Sequence, residues 1–405
     1  AALRAATGIG SAGAGDIDLA INTMAADTTA GDIYLQEPSA ATVGTVDGLA
    51  GITAGGNINL EIGGTLTIND TIEATGAAST ILADVQGSIN VNSTIQTNGG
   101  AVDLLADVNL LLSAISSIDT TSAAAVTLTA DYDNSGGGNF TQSLGSIVNA
   151  HGGALDVYSE NKLGIASLHS AGGTITLTSL NGQIYDNTFG ELTLISGNEL
   201  ALRAAGDIGD PANALLDLDL AVSRLSASTT GGDVFISNTG ALEIGTVDGL
   251  SGVDAPSGLI LITAASPLTV ASNVSGSGTV TLTAGDSAIA GDDLTINAGV
   301  TVESTGSNVV LTAGDDFTMD ATSQINAATT IGIFVDPSAG DPDAVGGTVD
   351  LVGGISAPGG TTVTGGDDDD TFNILPSSTS TIAVVGGDPT LPAVPGDTLN
   401  IDLSG

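Results

Sequence analysis

Short stretches in which apolar and polar residues alternate recur along the chain, each preceded by a glycine-rich turn. The sequence reads GGNINL at 55–60, GGALDV at 152–157, GGTITL at 172–177, GGDVFI at 231–236 and GSGTVTL at 276–282. Strict alternation places successive side chains on opposite faces of a β-strand, with one face buried and the other in water. The pattern therefore predicts many short strands and an all-β fold.

These strands recur at a nearly constant spacing. The first apolar residues of five successive strands are separated by 25, 23, 21 and 24 residues; they are Ile33, Ile58, Ile81, Val102 and Val126. A coil of this size cannot bury its apolar face alone, whereas stacked coils share one narrow core. We predict a parallel β-solenoid (β-helix) of roughly 18 coils. The alternative is a tandem array of β-sandwich domains, which usually has a core richer in Trp or Tyr.

On a longer scale the chain contains two copies of one unit. LRAATGIG at 3–10 returns as LRAAGDIG at 202–209, and TVDGLAGI at 45–52 returns as TVDGLSGV at 246–253. The offsets are 199 and 201 residues, so the unit is about 200 residues long. Small differences between the offsets indicate insertions of one or two residues, which turns accommodate more readily than packed strands.

The repeat divides the chain into three predicted segments. Residues 1–200 form the first solenoid unit and residues 201–364 the second. The composition changes near residue 365, after which four prolines occur in the last 41 residues. We interpret residues 365–405 as an Asp- and Pro-rich cap or as the start of a further module, because an open solenoid end exposes unpaired strand edges.

Composition limits how such a core is filled. The 405 residues include six Phe, four Tyr, no Trp and no Cys, while hydrophobic residues make up 41% and the mean hydropathy is +0.35. The hydrophobic content disfavours intrinsic disorder. Small and β-branched side chains must fill a thin core, and disulfides and thiolate chemistry are excluded.

Charge narrows the choice of partner. Asp and Glu number 46 against four Lys and Arg, which gives a formal net charge of −42. Nucleic acids and anionic membrane surfaces are recognised through basic residues, so we predict neither as a partner. No apolar window reaches the length of a membrane span, and we predict no membrane insertion. Cations are the expected small partners.

The glycine-rich turns, the GGxIxL strands and the long tandem units resemble those of giant repeat-rich bacterial surface proteins with filamentous-haemagglutinin-like or autotransporter-adhesin-like β-helices. The resemblance covers about residues 1–364. It implies a right-handed parallel β-helix, secretion to the cell surface or the extracellular space, and a role in adhesion or surface structure. The extreme acidity departs from this family pattern.

Runs of aspartate are the candidate metal ligands. GGDDDDTFN at 365–373 resembles the calcium-binding nonapeptide GGxGxDxUx of repeat-in-toxin proteins, which implies a calcium site at Asp367, Asp368, Asp369 and Asp370. Asp368 replaces the third glycine of that motif, and no tandem second copy follows. Weaker candidates stand at two related strand entrances, GDDLTI and GDDFTM; they are Asp292, Asp293, Asp315 and Asp316. The alternative is that these aspartates only accept backbone hydrogen bonds in turns.

The function that fits best is structural and not enzymatic. We predict a segment of a large secreted surface or fibre protein, stiffened by calcium, that associates with itself end to end or side by side, or contacts glycans or a host or neighbouring cell. The runner-up is a carbohydrate-binding or polysaccharide-cleaving β-helix with a groove lined by Tyr, Asp and Glu, of which Tyr132, Tyr158 and Tyr185 would be members. Scarce basic and aromatic residues and the lack of a catalytic motif disfavour cleavage.

Overall fold

The structure of the protein, a computed structural model, describes residues 1–188, 190, 192, 194–210, 217–337, 346–366, 368–387 and 396–403. These residues form short β-strands and no helix. The strands stack in parallel as a β-solenoid of about 16 turns. The predicted parallel solenoid is thereby confirmed and the tandem sandwich is not found. None of the described residues belongs to a helix that is long and apolar enough to cross a membrane.

The chain divides into two compact units, Ala1–Ala205 and Gly206–Gly405. Within each unit a full turn contributes three strands, and strands of successive turns pair in parallel to form three columns. We number the columns 1, 2 and 3 in the order in which a turn passes through them, starting from the strands Ile33–Glu37 and Val234–Asn238.

In the first unit, the strands before the regular columns are Ala2–Ala5, Ile17–Asp18 and Thr23–Thr28. Column 1 contains Ile33–Glu37, Ile58–Ile62, Ile81–Val85, Val102–Ala106, Val126–Ala130, Leu155–Ser159 and the second halves of Leu168–Ser179 and Ile195–Ala204. Column 2 contains Ala41–Val43, Leu66–Ile68, Ile89–Val91, Leu110–Leu112, Phe140–Gln142, Leu163–Ile165 and Ile184–Asp186. Column 3 contains Ile52–Ala54, Ile72–Ala77, Thr94–Asn98, Ser117–Asp119, Ile147–Asn149 and the first halves of Leu168–Ser179 and Ile195–Ala204.

In the second unit, column 1 contains Leu218–Ala221, Val234–Asn238, Ile260–Ala264, Val280–Ala284, Val309–Ala313, Ile331–Val335, Thr361–Thr364 and Ile382–Val385. Column 2 contains Leu242–Ile244, Leu268–Val270, Leu294–Ile296, Phe317–Met319, Thr348–Leu351, Thr371–Ile374 and Thr398–Ile401. Column 3 contains Val253–Ala255, Val274–Gly276, Thr301–Ser304, Gln324–Ala327 and Gly354–Ser356, and Arg224–Thr229 pairs with both columns 2 and 3.

The core is a set of buried ladders, one residue per turn. The third residues of the eight strands in column 1 of the first unit lie in register and are at most 1% exposed; they are Leu35, Leu60, Ala83, Leu104, Leu128, Val157, Leu177 and Leu202. Their flanking residues point outward, as the alternation of polar and apolar residues predicts. Each side chain is buried by its counterparts one turn below and one turn above.

The corners between columns vary in length while the strands do not. Ile58 and Ile81, which pair in column 1, are 23 residues apart, whereas Val126 and Leu155, which also pair, are 29 residues apart. The additional residues lie in the corner between columns 1 and 2. Longer corners lengthen the average turn, and this is why about 16 turns are found where a constant spacing predicted roughly 18.

The repeated TVDGL sequence forms a small antiparallel hairpin in each unit. Thr246–Val247 pairs with Leu250–Ser251, and Val46 makes the same antiparallel bridge with Leu49. The glycine that follows is required by geometry, because Gly252 has φ +72° and an added Cβ would lie 2.0 Å from a backbone carbonyl oxygen of the next turn. The hairpin is the local signature that both copies share.

The described part of residues 365–405 continues the columns of the second unit. Thr371–Ile374 pairs with Thr348–Leu351, and Thr398–Ile401 pairs with Thr371–Ile374, all in column 2. Ile382–Val385 extends column 1 in the same way. The change in composition near residue 365 therefore occurs within a segment whose strands keep the register of the preceding turns.

Candidate functional site

The predicted aspartates lie at one corner of the second unit, where column 1 passes into column 2. Column 2 pairs Leu294 with Phe317 and Val349 with Phe372, in continuous register up to Leu399. The aspartates one or two positions before these residues therefore stand above one another on different turns. We call this set the acidic column; it comprises Asp292, Asp293, Asp315, Asp316, Asp370 and Asp397.

Along the sequence these aspartates lie in separate short runs, and the structure places them in one column. Asp397 was missed at the sequence level, although GDTLNI at 396–401 has the same pattern as GDDLTI and GDDFTM. The turn between Asp315 and Asp370 carries Gly347 at the corresponding position, so the column is interrupted there.

Most carboxylates of the acidic column accept hydrogen bonds from the backbone of a neighbouring turn. Asp315 Oδ2 accepts from the amides of Gly291 and Asp292, the latter at 2.9 Å. Asp316 Oδ1 accepts from the Thr348 amide at 2.7 Å. Burial raises the pKa of Asp293, and the charges of the neighbouring aspartates act in the same direction. These contacts agree with the alternative to metal binding, in which the aspartates accept backbone hydrogen bonds in turns.

Asp370 differs from its neighbours because its side chain is buried. The residue is 1% exposed, and Oδ1 accepts a hydrogen bond from the Gly347 amide at 2.8 Å. Oδ2 is buried and lacks a hydrogen-bond partner among the described residues. Burial raises the pKa of Asp370 to about 6, and the charge of Asp397 adds to this rise against the opposing effect of the Gly347 hydrogen bond.

The first glycine of the calcium-like motif leaves space for this buried carboxyl. An added Cβ on Gly365 would lie 1.9 Å from Asp370 Oδ2, so only glycine leaves room for it. Asp369 is exposed and Asp368 is half-buried. Asp367 lies outside the described residues. The described part of the run therefore contains one inward-facing carboxyl and two that are at least partly in water.

The described residues do not form a ready-made calcium shell. Calcium takes six to eight oxygen ligands, whereas no group of three or more His, Asp or Glu side chains in the described part of the chain is placed to hold a metal ion. Hydrogen bonds from backbone amides already occupy oxygens of Asp315, Asp316 and Asp370. Calcium binding at Asp367–Asp370 and at the two GDD sequences stays a prediction.

A polar groove lies on the outward side of column 2 in the first unit. It has a volume of about 420 Å³ and is lined by Thr65, Ser88, Asn90, Asn109, Leu110, Leu111, Asn139, Thr141, Lys162 and Tyr185. The Tyr185 ring packs over Gly164, where an added Cβ would lie 2.7 Å from the phenol oxygen. Burial raises the pKa of the Tyr185 phenol, so the group is an uncharged hydrogen-bonding hydroxyl at neutral pH.

The three tyrosines predicted to share a groove are distributed differently. Tyr185 lines the groove, whereas Tyr158 and Tyr132 are not among its lining residues. The Tyr158 hydroxyl instead lies 3.3 Å from both Glu160 Oε2 and Asn134 Oδ1, and its one hydrogen is donated to either of these acceptors. The groove therefore has one aromatic side chain, one lysine and several amides, and none of the Asp or Glu side chains that the carbohydrate hypothesis expected lines it.

Comparison with known proteins adds no relative. No protein-family model matches the chain, and neither a curated protein nor a solved structure matches it. The fold and the geometry of the described residues are therefore the basis for its function.

Proposed function

We propose that the chain is a structural, non-catalytic segment of a secreted cell-surface or fibre-forming protein, in which each solenoid unit acts as a rigid spacer. The observation that carries this proposal is the continuity of the buried ladders. In the second unit, Ile236, Ile262, Leu282, Leu311, Ile333 and Val363 follow one another in register and are at most 1% exposed.

Polar side chains also join successive turns, through hydrogen bonds to the backbone of the next turn. In the first unit Asp32 Oδ1 accepts from the Asn57 amide at 2.7 Å, and Asn57 Oδ1 accepts from the Thr80 amide at 2.9 Å. In the second unit Asp233 repeats this role towards the Leu259 amide at 2.8 Å. Side chains at strand entrances thus bind the next turn, which suits a stack whose length and stiffness are its function.

Removal of one whole turn tests the spacer role. Leu294 pairs with Phe317, so deletion of residues 294–316 removes one turn and leaves the three columns aligned. We expect the variant to melt within about 5 °C of the parent and to bring Ser237 and Val385 about 4.8 Å closer, as measured with spin labels. Deletion of residues 294–304 is the matched control, because it leaves the columns out of register and is expected to unfold the unit.

The opposite pattern would contradict the spacer proposal. If the whole-turn deletion is as damaging as the control deletion, the turns are not interchangeable units. If the unaltered protein binds or cleaves a glycan and loses that activity in the deletion variant, its function lies in a specific surface.

Carbohydrate binding is a second candidate, favoured by the groove around Tyr185. Its volume of about 420 Å³ is within the range of ligand pockets, and amide, hydroxyl and aromatic groups are those that bind sugars. We expect a glycan array to show saturable binding that Tyr185→Ala reduces at least about tenfold if this candidate is correct. Tyr132→Ala is the control, because Tyr132 is 49% exposed and does not line the groove. Equal binding by both variants excludes this site.

A further inference from the structure

The outward face of column 1 in the second unit carries no charge over six successive strands. These strands run from Val234–Asn238 to Thr361–Thr364, and each presents two residues outward, at its second and fourth positions. None of these twelve residues is buried, and none is Asp, Glu, Lys or Arg. We call them the neutral face; they are Phe235, Ser237, Leu261, Thr263, Thr281, Thr283, Val310, Thr312, Gly332, Phe334, Thr362 and Thr364.

The equivalent face of the first unit is acidic. Ile33–Glu37 is the counterpart of Val234–Asn238, because TAGDIYL at 29–35 matches TGGDVFI at 230–236. Counted strand by strand from these two, four carboxylates of the first unit stand where the second unit has Thr or Val. The pairs are Glu61 and Thr263, Asp84 and Thr283, Asp103 and Val310, and Asp156 and Thr362. The two copies therefore share this column of strands and differ in the charge of its outer face.

Carboxylates border the neutral face but do not lie on it. Asp219, which pairs with Ser237 from the preceding strand, is only 6% exposed. Asp233 lies just before the first strand, where its Oδ1 accepts a hydrogen bond from the Leu259 amide at 2.8 Å. The acidic column lies at the corner that follows column 1. The neutral face is therefore an uncharged area within an acidic surface.

The side chains of the neutral face suit packing against another sheet. Six of the twelve residues are Thr and one is Val, and β-branched side chains form a regular surface on paired strands. Leu261 is 37% exposed. The Phe334 ring lies over Gly332, where an added Cβ would be 2.9 Å from a ring carbon. Sheet faces of this composition pack on one another about 10 Å apart.

We propose that the neutral face docks against the neutral face of a second copy of this chain, so that two copies associate side by side. Like faces meet without opposing carboxylates, whereas contact through the equivalent face of the first unit would oppose four carboxylates of each copy. The contact uses the same surface on both copies and therefore closes as a dimer. This inference rests on the proposed structural function, to which it adds a lateral partner.

The area of the contact predicts a weak dimer. Six strands about 4.8 Å apart span about 24 Å, and five residues of a strand span about 17 Å. The two faces together therefore bury about 800 Å², which is at the low end of specific interfaces. We expect a dissociation constant between about 10 µM and about 1 mM.

Electrostatics sets the conditions under which the dimer forms. Each copy has a formal net charge of −42, so two copies repel each other at low ionic strength. Salt screens this repulsion, which comes from charges outside the contact, and does not weaken apolar burial. We therefore expect association to strengthen as salt rises from about 0.01 M to about 0.15 M, where the Debye length falls from about 30 Å to about 8 Å.

A single charge on the neutral face tests the docking by sedimentation. Thr283→Asp installs the residue type that the first unit has at the equivalent position, Asp84, so the fold is expected to accept it. We expect dimerisation to weaken at least about tenfold, because two like charges then face each other across the contact. Thr127→Asp is the matched control, since Thr127 faces outward in column 1 of the first unit between Asp103 and Asp156. We expect it to leave dimerisation unchanged.

A charge exchange tests whether the partner is a second copy. Thr283 lies on the third of the six strands, so the two copies of this residue come close when like faces overlap. Thr283→Lys protein is mixed with Thr283→Asp protein, and we expect the mixed dimer to be at least about tenfold tighter than the dimer of either variant alone. The same exchange at Thr127 is expected to give no mixed dimer beyond that of the parent protein.

The reverse change transfers the property to the first unit. The quadruple variant Glu61→Thr, Asp84→Thr, Asp103→Val and Asp156→Thr gives that unit the residues of the neutral face at the four equivalent positions. Each chain then has two uncharged faces, so we expect assemblies larger than a dimer at concentrations where the parent protein only dimerises.

Four results would overturn the proposal. They are the absence of dimers up to about 1 mM, equal weakening by Thr283→Asp and Thr127→Asp, no gain in the charge exchange, and retention of a purely monomeric protein on an insoluble neutral polysaccharide that Thr283→Asp abolishes. The last result would assign the face to a glycan. The spacer test measures melting and a distance within one copy, so its failure and the failure of the docking are distinguishable.

Discussion

Two turns of the second unit have the same apolar pattern and opposite surroundings. Phe317 and Met319 in the middle of column 2 are 0% and 1% exposed, while Leu399 and Ile401 at the same column positions in the last described turn are more than half exposed. The strands differ little in sequence pattern, so the difference comes from the neighbouring turns. In this fold burial is a property of the stack, and a single turn has no core of its own.

The largest expected effect is the cost of removing a side chain from the middle of the stack. Phe317→Ala creates a cavity between turns and should lower the free energy of unfolding by about 3–5 kcal/mol. Leu399→Ala removes a side chain that is 51% exposed, and we expect a loss below about 1 kcal/mol. Urea denaturation at low protein concentration measures both. Equal losses would show that the Leu399 side chain is as well buried as that of Phe317.

A smaller effect on stability is expected at Asp370, whose carboxyl group is buried among the turns of the second unit. Because the pKa in the folded protein is raised to about 6, the folded state holds the proton more tightly than the unfolded chain. The stabilisation from holding this proton is complete below about pH 4 and is lost as the pH rises through about 6. Above that pH, the contribution of Asp370 to the free energy of unfolding no longer changes. Asp370→Asn keeps an acceptor for the Gly347 amide and removes the charge.

We therefore expect Asp370→Asn to raise the melting temperature at pH 8 and to leave it unchanged at pH 4. The gain should be on the order of 1 kcal/mol, after allowance for screening by solvent. Asp369→Asn is the control, because Asp369 is exposed and we expect no change at either pH. Melting is measured in the presence of a chelator. A lower melting temperature for Asp370→Asn at pH 8 would show that the carboxylate has a stabilising partner.

The smallest expected effect concerns calcium. We predict that 1 mM calcium raises the melting temperature by a few degrees more than the same concentration of magnesium, because calcium accepts irregular shells of six to eight oxygens. The described carboxylates do not complete such a shell, so the excess should depend on the exposed part of the run. It should disappear in the Asp368→Asn, Asp369→Asn double variant, because these two carboxylates are at least partly in water. Equal effects of the two ions would show charge screening instead of a site.

The sequence predicted the strands well because their pattern is local. Alternation of Ile58, Leu60 and Ile62 with polar residues is enough to define a strand with one buried face, and the repeat spacing is enough to define a solenoid. The match between LRAA at 3–6 and at 202–205 also revealed the two copies.

The arrangement at the corners could not be predicted in the same way. Corner lengths differ from turn to turn, so spacing along the chain does not reveal that Asp370 and Asp397 occupy the same position on successive turns. Tyr185 is separated from Tyr158 for a different reason, because the two side chains project from different columns. Exposure of Leu399 was also invisible, because its apolar pattern matches that of buried strands.

Distances between spin labels along column 1 of the second unit test the parallel stack most directly. Ser237 is labelled together with Phe334, Thr364 or Val385, which lie four, five and six turns further along the register. Stacked turns predict distances near 19, 24 and 29 Å, an increase of about 4.8 Å per turn. Distances that do not rise by equal steps, or that fall as the sequence separation grows, would contradict the stack and the proposed spacer function that depends on it.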